Sequence, residues 1–341
     1  MFEGYWGNPA VAEALEQMLA QDRLAQTLLF AGPEGVGKAT LARRVGARLL
    51  GRGDLIEQDD LSLPQNLETT ADRERWSAEK RNEDPLQFAS HPDFVTFAPD
   101  GPLRMITIQQ TRLLKEHAQY LPHKGNRRIF VIDHADRANE QAANSLLKTL
   151  EEPPPHLVLI LTAENPYDLL PTIRSRSVPF HFSPLFEDEM RSFVNSRGLD
   201  QPERRIALAA GSPGVAVSLD LEVYDKRRAA MVTLLKVAAG LAPFSTWAPV
   251  SENLGRSKGE KLDLSLKVLY NLLRDVMLLR EGSSSIRNQD IRKDLETIAG
   301  KVGFAWLRKA TTRADELVEF TRRNIQKQVA LDALIAELRT S

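Results

Sequence analysis

Residues 128–183 read RIFVIDHADRANEQAANSLLKTLEEPPPHLVLILTAENPYDLLPTIRSRSVPFHFS. Two apolar runs, RIFVID and LVLILTA, flank the segment ANEQAANSLLKTLEE, whose composition predicts a helix. Apolar runs of this length, alternating with helices, are typical of strands that are buried on both faces of a parallel sheet. The stretch therefore predicts an α/β fold with helices packed on both faces of a parallel sheet.

A glycine-rich loop, GPEGVGK, lies upstream at residues 32–38. It follows the apolar strand TLLFA and opens the predicted helix ATLARRVGARLL, which is the context that a phosphate-binding loop requires. Glycines let backbone N–H groups converge on a phosphate at a helix N-terminus, and the lysine neutralises its charge. We therefore predict a P-loop nucleotide site whose binding residues are Gly32, Gly35, Val36, Gly37, Lys38, Ala39, Thr40 and Asp133.

The loop departs from the usual pattern at the residue that follows the lysine. This residue normally supplies the hydroxyl that binds Mg²⁺, and here it is Ala39. Thr40 comes next, but a helix turns about 100° per residue, so its hydroxyl points elsewhere. The loop is still suited to ATP or ADP, whereas the sequence leaves open whether Mg²⁺ is held.

The end of the strand RIFVID carries the acidic part of the predicted site. Asp133 is placed to bind Mg²⁺ directly or through water, but His134 follows where ATPases of this type usually carry a glutamate that polarises the attacking water. A histidine can serve as a base, and the alternative is a half-buried side chain at the strand end. We expect Asp136 to act as the N-cap of the following helix rather than as a catalytic group.

Composition limits the remaining possibilities. The formal net charge is −1 at pH 7, so attraction to nucleic acid must come from a local patch or from oriented dipoles. The chain has no cysteine, which excludes disulfides, thiolate zinc sites and cysteine nucleophiles. Its first ten residues lack a signal pattern, and no apolar run is long enough to cross a bilayer. We expect a cytoplasmic protein with no membrane contact and no zinc.

The pattern along the chain predicts three domains. Residues 1–182 form the P-loop α/β domain, in which the polar and acidic segment 51–90 is predicted to be an irregular insertion. Short helices predict a small lid at 183–222. Residues 223–341 are predicted to be helical, because apolar residues recur at helical spacing at Leu269, Leu272, Leu273 and Val276 and again at Leu331, Leu334, Ile335 and Leu338.

Several motifs together resemble the bacterial clamp-loader branch of the AAA+ ATPases, most strongly the delta-prime subunits of DNA polymerase III. The motifs are GPEGVGK at 32–38, HPDF at 91–94, AANSLLKTLEEPP at 142–154, LLPTIRSRS at 169–177 and GSPG at 211–214. The resemblance covers residues 1–220. Beyond them it rests on helical character and on the closing RRNIQKQVALDALIAEL at 322–338.

The resemblance implies a hetero-pentameric loader with gamma/tau and delta subunits, which opens a sliding clamp and closes it around primed DNA. Residues 223–341 would then form the oligomerisation collar. The family's Ser-Arg-Cys motif corresponds to Ser175, Arg176 and Ser177, and its arginine reaches the γ-phosphate in the adjacent subunit. Arg176 is therefore the predicted catalytic residue, an arginine finger that acts on the neighbouring subunit.

Further departures from the family favour a largely non-hydrolysing stator. The family's polar, uncharged sensor residue falls at Glu164, counting back from Arg176, and Gly214 and Val215 stand where active subunits carry a lid arginine. The cysteines that bind zinc in many relatives are absent. The alternative is an active gamma/tau-type motor ATPase. A third reading, a stand-alone DNA-binding AAA+ protein, rests on the basic cluster at 124–128 alone.

Overall fold

The structure is a computed structural model that describes residues 2–256, 262–321 and 326–339. The chain divides into two compact units. The first unit consists of residues 1–202 and 209–218, and the second of residues 203–208 and 219–341. The four residues that open the closing motif, 322–325, lie outside the described residues.

A six-stranded sheet forms the centre of the first unit. Its strands are β1 Thr27–Ala31, β2 Phe88–His91, β3 Phe94–Phe97, β4 Arg128–Ile132, β5 Leu157–Ala163 and β6 Val178–His181. They lie in the order β2-β3-β4-β5-β1-β6. Strand β1 leads into the glycine-rich loop, β4 into Asp133 and β5 into Glu164, so these three strands are neighbours at the centre of the sheet.

The sheet is parallel except at one edge. Strands β3, β4, β5, β1 and β6 pair in parallel, whereas β2 pairs with β3 in the antiparallel direction. Only Pro92 and Asp93 separate β2 from β3, and a connection this short cannot make the crossover that parallel strands need. The predicted parallel sheet is therefore confirmed for five strands and corrected to a mixed sheet by the sixth.

Helices cover both faces of this sheet. The helices that begin before residue 219 are α1 Pro9–Ala20, α2 Lys38–Leu50, α3 Gly53–Ile56, α4 Pro64–Arg73, α5 Ala78–Glu83, α6 Ile108–Ala118, α7 Glu140–Glu151, α8 Pro171–Arg174, α9 Glu187–Ser196, α10 Pro202–Ala209 and α11 Pro213–Ser218. Most of α10 belongs to the second unit. Successive residues of β1 point to opposite faces. Leu28 packs in a cluster with Leu15 of α1 and Leu41 of α2, and Leu29 in another with Leu114 of α6 and Leu146 of α7.

The sequence predicts that the segment 51–90 is irregular. This prediction is wrong, because the segment contains α3, α4 and α5. Its inward side chains are largely polar, so the apolar periodicity that marks a helix is missing. Asn66 donates to the carbonyls of Gln58 and Asp60 at 2.7 and 2.8 Å, and Arg73 pairs with buried Asp100 at 2.8 Å. Hydrogen bonds and an ion pair thus hold this segment together beside a small apolar cluster of Leu61, Leu86, Phe88 and Ala98.

The second unit is helical. Its helices are α12 Leu221–Ala238, α13 Ala248–Arg256, α14 Leu262–Arg280, α15 Arg292–Lys301, α16 Phe304–Thr321 and α17 Lys327–Arg339. The two predicted apolar stripes are buried, one on α14 and the other on α17, and both belong to one cluster that also contains Trp247. None of the helices in the described part of the chain is long and apolar enough to cross a membrane.

Candidate functional site

The predicted nucleotide-binding residues meet at the carboxyl ends of the strands β1, β4 and β5. The loop 32–38 joins β1 to α2, and Gly35 and Gly37 adopt φ values of 75° and 99°. Residues other than glycine rarely adopt these φ angles. Val36 between them is fully buried in the core. The loop therefore has the backbone that places N–H groups at the start of α2.

Lys38, the first residue of α2, is turned onto its own loop. Its Nζ donates to the carbonyl oxygens of Gly32 at 2.6 Å and Pro33 at 2.7 Å, and the residue is only 6% exposed. Burial lowers the pKa of Lys38, although the nearby carboxylates of Asp133, Glu164, Asp136 and Glu34 act to raise it. The cation that would meet a phosphate is thus hydrogen-bonded within the loop and lies among acidic groups.

Asp133 is held in place by a threonine that the sequence analysis did not single out. The hydroxyl of Thr162, near the end of β5, donates to Oδ1 of Asp133 at 2.6 Å and accepts the backbone N–H of His134 at 2.9 Å. Thr162 is completely buried. A signal was present in the sequence, because Thr162 is the one hydroxyl residue in the apolar run LVLILTA.

His134 lies between carboxylates instead of facing open solvent. Its backbone is left-handed, with φ of 50°, and its side chain is 23% exposed. The ring nitrogens lie 3.8 Å from an Asp133 oxygen and 3.5 Å from Oε1 of Glu164, and a nitrogen of Arg137 is also 3.5 Å from that Glu164 oxygen. The imidazole and the guanidinium therefore face Glu164, and the four side chains form one charged cluster.

One expectation changes at this cluster. Asp136 does not cap α7, because the cap is Asn139, whose side chain accepts from the backbone N–H of Ala142 at 2.8 Å. Asp136 precedes the helix in a short 3₁₀ turn and accepts instead from the N–H of Glu164 at 3.0 Å. The uncharged polar side chain that contacts Asp133 is Thr162 and not residue 164. Glu164 lies among the carboxylates near Lys38, and its assignment as the sensor residue stays a prediction.

The side chains present fit a phosphate better than they fit Mg²⁺. The loop glycines and the start of α2 form a cradle for an anion. Ala39 in the first turn of α2 has no hydroxyl, Thr40 is the next residue along the turning helix, and Asp133 already accepts from Thr162. The hydroxyl-and-carboxylate pair that holds Mg²⁺ in P-loop proteins is therefore incomplete. Within the described ranges, no group of three or more His, Asp or Glu side chains is arranged to hold a metal ion.

The short helix α11 lies directly against the loop. The N–H of Gly214 donates to the carbonyl of Gly35 at 2.8 Å. A Cβ atom on Gly214 would lie 3.0 Å from the Cα of Gly35, and one on Gly35 would lie 2.8 Å from the backbone nitrogen of Val215. Because the two backbones are in contact, a side chain as large as the family's lid arginine has no room at residue 214 in this arrangement.

The N-terminal segment covers the other side of the loop, a feature that the sequence did not reveal. A Cβ atom on Gly37 would lie 3.0 Å from the ring of Tyr5. Asn8 donates to the carbonyl of Ser183 at 3.1 Å and accepts from its N–H at 2.8 Å. Burial raises the pKa of the Tyr5 hydroxyl. The segment thus connects the loop to the chain that leads into α9.

Arg176 stands apart from these groups. It lies two residues beyond α8, on an exposed part of the chain, and its side chain is 35% exposed. Nη2 donates to Oε1 of Glu151 at 2.8 Å, and Nη1 donates to the carbonyl of Thr172 at 3.1 Å. The neighbouring Ser177 is buried, and its hydroxyl donates to the carbonyl of Ile173 at 2.7 Å. The predicted arginine finger is therefore at the surface, paired with one carboxylate.

The basic cluster at 124–128 does not form a continuous charged surface. Arg128 is buried, and its guanidinium donates to the carbonyls of His117 and Pro92 at 2.7 and 3.2 Å. Arg127 pairs with Asp22 at 3.3 Å. Since at least two of these cations already have partners within the chain, the cluster gives little support to a stand-alone DNA-binding protein.

The family model described as "DNA polymerase III, delta subunit" matches residues 7–186. The chain is 27% identical over 328 residues to the delta' subunit of DNA polymerase III from Pseudomonas aeruginosa, covering 92% of this chain and 91% of that protein. It is 28% identical over 288 residues to the delta' subunit from Bacillus subtilis, covering 81% and 79%. It is 31% identical over 253 residues to the tau subunit from Escherichia coli, covering 73% of this chain and only 35% of tau.

Among solved structures, a DNA polymerase III gamma subunit-related protein from Thermotoga maritima aligns over 96% of this chain and 98% of its own, with 18% identity and a TM-score of 0.44. The B. subtilis DNA clamp loader delta protein aligns over 97% of this chain and 100% of its own, with 12% identity and a TM-score of 0.32. The family match covers more than half of the chain, and two delta' subunits match most of it. The chain therefore belongs to the DNA polymerase III delta subunit family, as a delta-prime-like clamp-loader subunit.

Proposed function

We propose that this clamp-loader subunit is a stator that hydrolyses little or no ATP itself and supplies Arg176 to the site of a neighbouring subunit. The observation that carries the proposal is the contrast between the exposed Arg176 and the charged cluster at the end of β4. There His134 occupies the place of the water-polarising glutamate, 3.5 Å from Glu164. The names of the relatives support partners of the gamma/tau and delta types, and the family resemblance adds a sliding clamp and primed DNA.

The subunit's own site is suited to binding more than to hydrolysis. The loop from Gly32 to Lys38 has the cradle for the phosphates of ATP or ADP. Ala39 removes a magnesium ligand, and Lys38 is hydrogen-bonded to two loop carbonyls. Hydrolysis needs a metal to neutralise developing charge and a group to orient water. Here Ala39 replaces a ligand of that metal, and His134 replaces the residue that orients water. A nucleotide in this site would therefore remain bound without turnover.

The chemistry proposed for Arg176 is electrostatic. As a γ-phosphoryl group is transferred, negative charge develops on its oxygens and on the leaving group, and a planar guanidinium can bind two such oxygens at once. An arginine acts in trans only when it can reach out of its own subunit. Arg176 meets this condition because it is exposed beyond α8 and forms only a weak surface ion pair, with Glu151.

The test is steady-state ATP hydrolysis by the loader reconstituted with gamma/tau-type and delta subunits, clamp and primed DNA. We expect Arg176→Ala to reduce turnover at the facing site by roughly 10²–10³-fold, the loss seen when one transition-state donor is removed. Lys38→Ala tests the subunit's own site, and total turnover should change by less than about twofold if that site is silent. Arg112→Ala removes another exposed arginine of the same unit and controls for the loss of charge.

The second candidate is an active gamma/tau-type motor, favoured by the intact lysine of the loop and by 31% identity to the E. coli tau subunit. The same assay separates the two. If Lys38→Ala abolishes most of the turnover and Arg176→Ala leaves it unchanged, the motor function is correct and the stator function is wrong. If Arg176→Ala alone abolishes turnover, the stator function holds.

A further inference from the structure

The guanidinium of Arg176 is held in a definite direction. Its Nη2 donates to Oε1 of Glu151 at 2.8 Å, and its Nη1 donates to the carbonyl of Thr172 at 3.1 Å and lies 3.4 Å from the hydroxyl oxygen of Ser175. Thr172 and Ser175 are local partners, from α8 and the turn that follows it. Glu151 is the one partner of these three that comes from a different element, 25 residues earlier in the chain.

The place of Glu151 in α7 gives it no local reason to be acidic. It is the last residue of the helix, where the partial negative charge of the backbone disfavours a carboxylate. Its side chain is 49% exposed, so it contributes little to packing. The next residue, Glu152, is also exposed, but the hydrogen bonds of the guanidinium of Arg176 go to Glu151, Thr172 and Ser175. The feature that distinguishes Glu151 is its hydrogen bond to Arg176.

We propose that Glu151 is a positioning residue for Arg176, which fixes the direction of the guanidinium before the neighbouring subunit's nucleotide is engaged. This inference rests on the proposed function of Arg176 in trans. Arginine carries five N–H donors in a fixed plane, and the contacts with Glu151, Thr172 and Ser175 need only three. The remaining donors leave the guanidinium able to bind a phosphate while it is still held by Glu151.

Orientation is valuable here because an unrestrained arginine side chain has many rotamers. A finger that is already aligned loses less conformational freedom when it meets the transferring phosphoryl group. An ion pair as exposed as this one is also weak, so the finger can adjust when the more highly charged phosphate arrives. The expected effect is therefore on the rate of the chemical step and not on the affinity for ATP.

The experiment compares Glu151→Ala, Glu151→Gln and the matched control Glu152→Ala, in the wild-type and the Arg176→Ala backgrounds. The reconstituted loader is assayed for kcat and KM with ATP, together with clamp and primed DNA. We expect Glu151→Ala to lower kcat by about fivefold with KM within about twofold of wild type, as for lost transition-state alignment. Glu151→Gln keeps an oxygen acceptor and should recover most of kcat, whereas Glu152→Ala should match wild type.

The Arg176→Ala background identifies the cause. If Glu151 acts through Arg176, Glu151→Ala causes no further loss once the arginine is gone. A further loss in that background, with a lower Tm, would show a structural role of Glu151 and overturn the inference, as would a wild-type kcat for Glu151→Ala. If Arg176→Ala itself leaves turnover unchanged, the proposed function fails first.

Discussion

Two basic side chains in the first unit are suited to bind phosphate, and they lie in opposite surroundings. Lys38 is 6% exposed, donates to two carbonyls of its own loop and lies near four carboxylates. Arg176 is exposed, and its one acidic partner is also half in solvent. Lys38 is thus hydrogen-bonded within its own loop, whereas Arg176 uses three of its five N–H donors and has one weak surface ion pair. This contrast supports the proposal that the subunit assists another site more than it operates its own.

Mutations at the two sites should also have different effects, on stability at the inner site and on turnover at the outer site. At the inner site the polar groups bond to one another, as Thr162 does to Asp133 and Asp136 to Glu164, so their removal should affect folding. At the outer site the contacts are exposed, so their removal should affect turnover in the assembled loader and leave the folded chain intact.

Apart from Arg176→Ala, the largest effect is expected for Arg176→Lys. Lysine keeps the charge but lacks the planar fork that binds two phosphate oxygens. We expect turnover at the facing site to fall by about a hundredfold, equivalent to about 2.7 kcal/mol in activation free energy. The Tm of the isolated chain should stay unchanged. Loader turnover and thermal unfolding measured on the same preparation check both statements, and a lysine variant with wild-type turnover would mean that charge alone is sufficient.

A smaller effect, on stability, is expected for Thr162→Val. Valine has the shape of threonine, but it leaves Asp133 without a donor and the N–H of His134 without an acceptor. Unpaired buried groups of this kind destabilise a fold by about 2 kcal/mol. Urea unfolding gives the size of the change, and hydrogen exchange of the β4 and β5 amides locates it.

The control for this change is Thr233→Val, which removes an exposed hydroxyl from α12 and should shift stability by less than about 0.5 kcal/mol. If the two variants are equally stable, the hydroxyl of Thr162 is not essential to the fold. The division between a structural inner site and a functional outer site would then be lost.

These two sites also show how far the sequence leads. The strands β1, β4 and β5 follow from their apolar runs, and the loop follows from its glycines, because both patterns are local. Thr162 and Asp133 are 29 residues apart and meet only through strand pairing. Their contact could therefore be found only once the sheet order was known.

The segment 51–90 shows a second limit of the sequence. Its helices bury polar side chains such as Asn66 and Arg73. The sequence therefore lacks the apolar periodicity of a helix, and the segment is predicted to be irregular. The cap of α7 was assigned three residues too early for a related reason. Asp136 and Asn139 are both good capping residues, and only the 3₁₀ turn at 135–137 decides between them.

The contact between the loop and α11 is tested by Gly214→Ala. The added methyl would come within 3.0 Å of the Cα of Gly35, so the two backbones must separate. We expect a loss of about 1 kcal/mol from this crowding. Gly300→Ala is the matched control, because nothing lies within 4 Å of its added methyl and alanine favours a helix. The control should gain about 0.5–1 kcal/mol. A stabilising Gly214→Ala would show that α11 moves freely from the loop.

The smallest effect concerns the charge of Lys38 in the free chain. Burial lowers the pKa of its ammonium group below the ordinary value of 10.5. Between the lowered pKa and 10.5, the unfolded chain binds more protons at this residue than the folded chain does. Stability therefore rises with pH across that window, and below it the cost of the buried charge is fully present. Lys38→Met removes this cost at neutral pH.

We therefore expect Lys38→Met to be more stable than wild type near pH 7, and the difference to shrink as the pH approaches 10.5. Urea unfolding at a series of pH values measures it, and Lys293→Met, which removes an exposed positive charge, controls for net charge. A difference that is constant with pH, or a less stable Lys38→Met, would mean that Asp133 and its acidic neighbours outweigh burial. The inner lysine would then be stabilised as a cation by its surroundings, and its difference from Arg176 would lie in exposure alone.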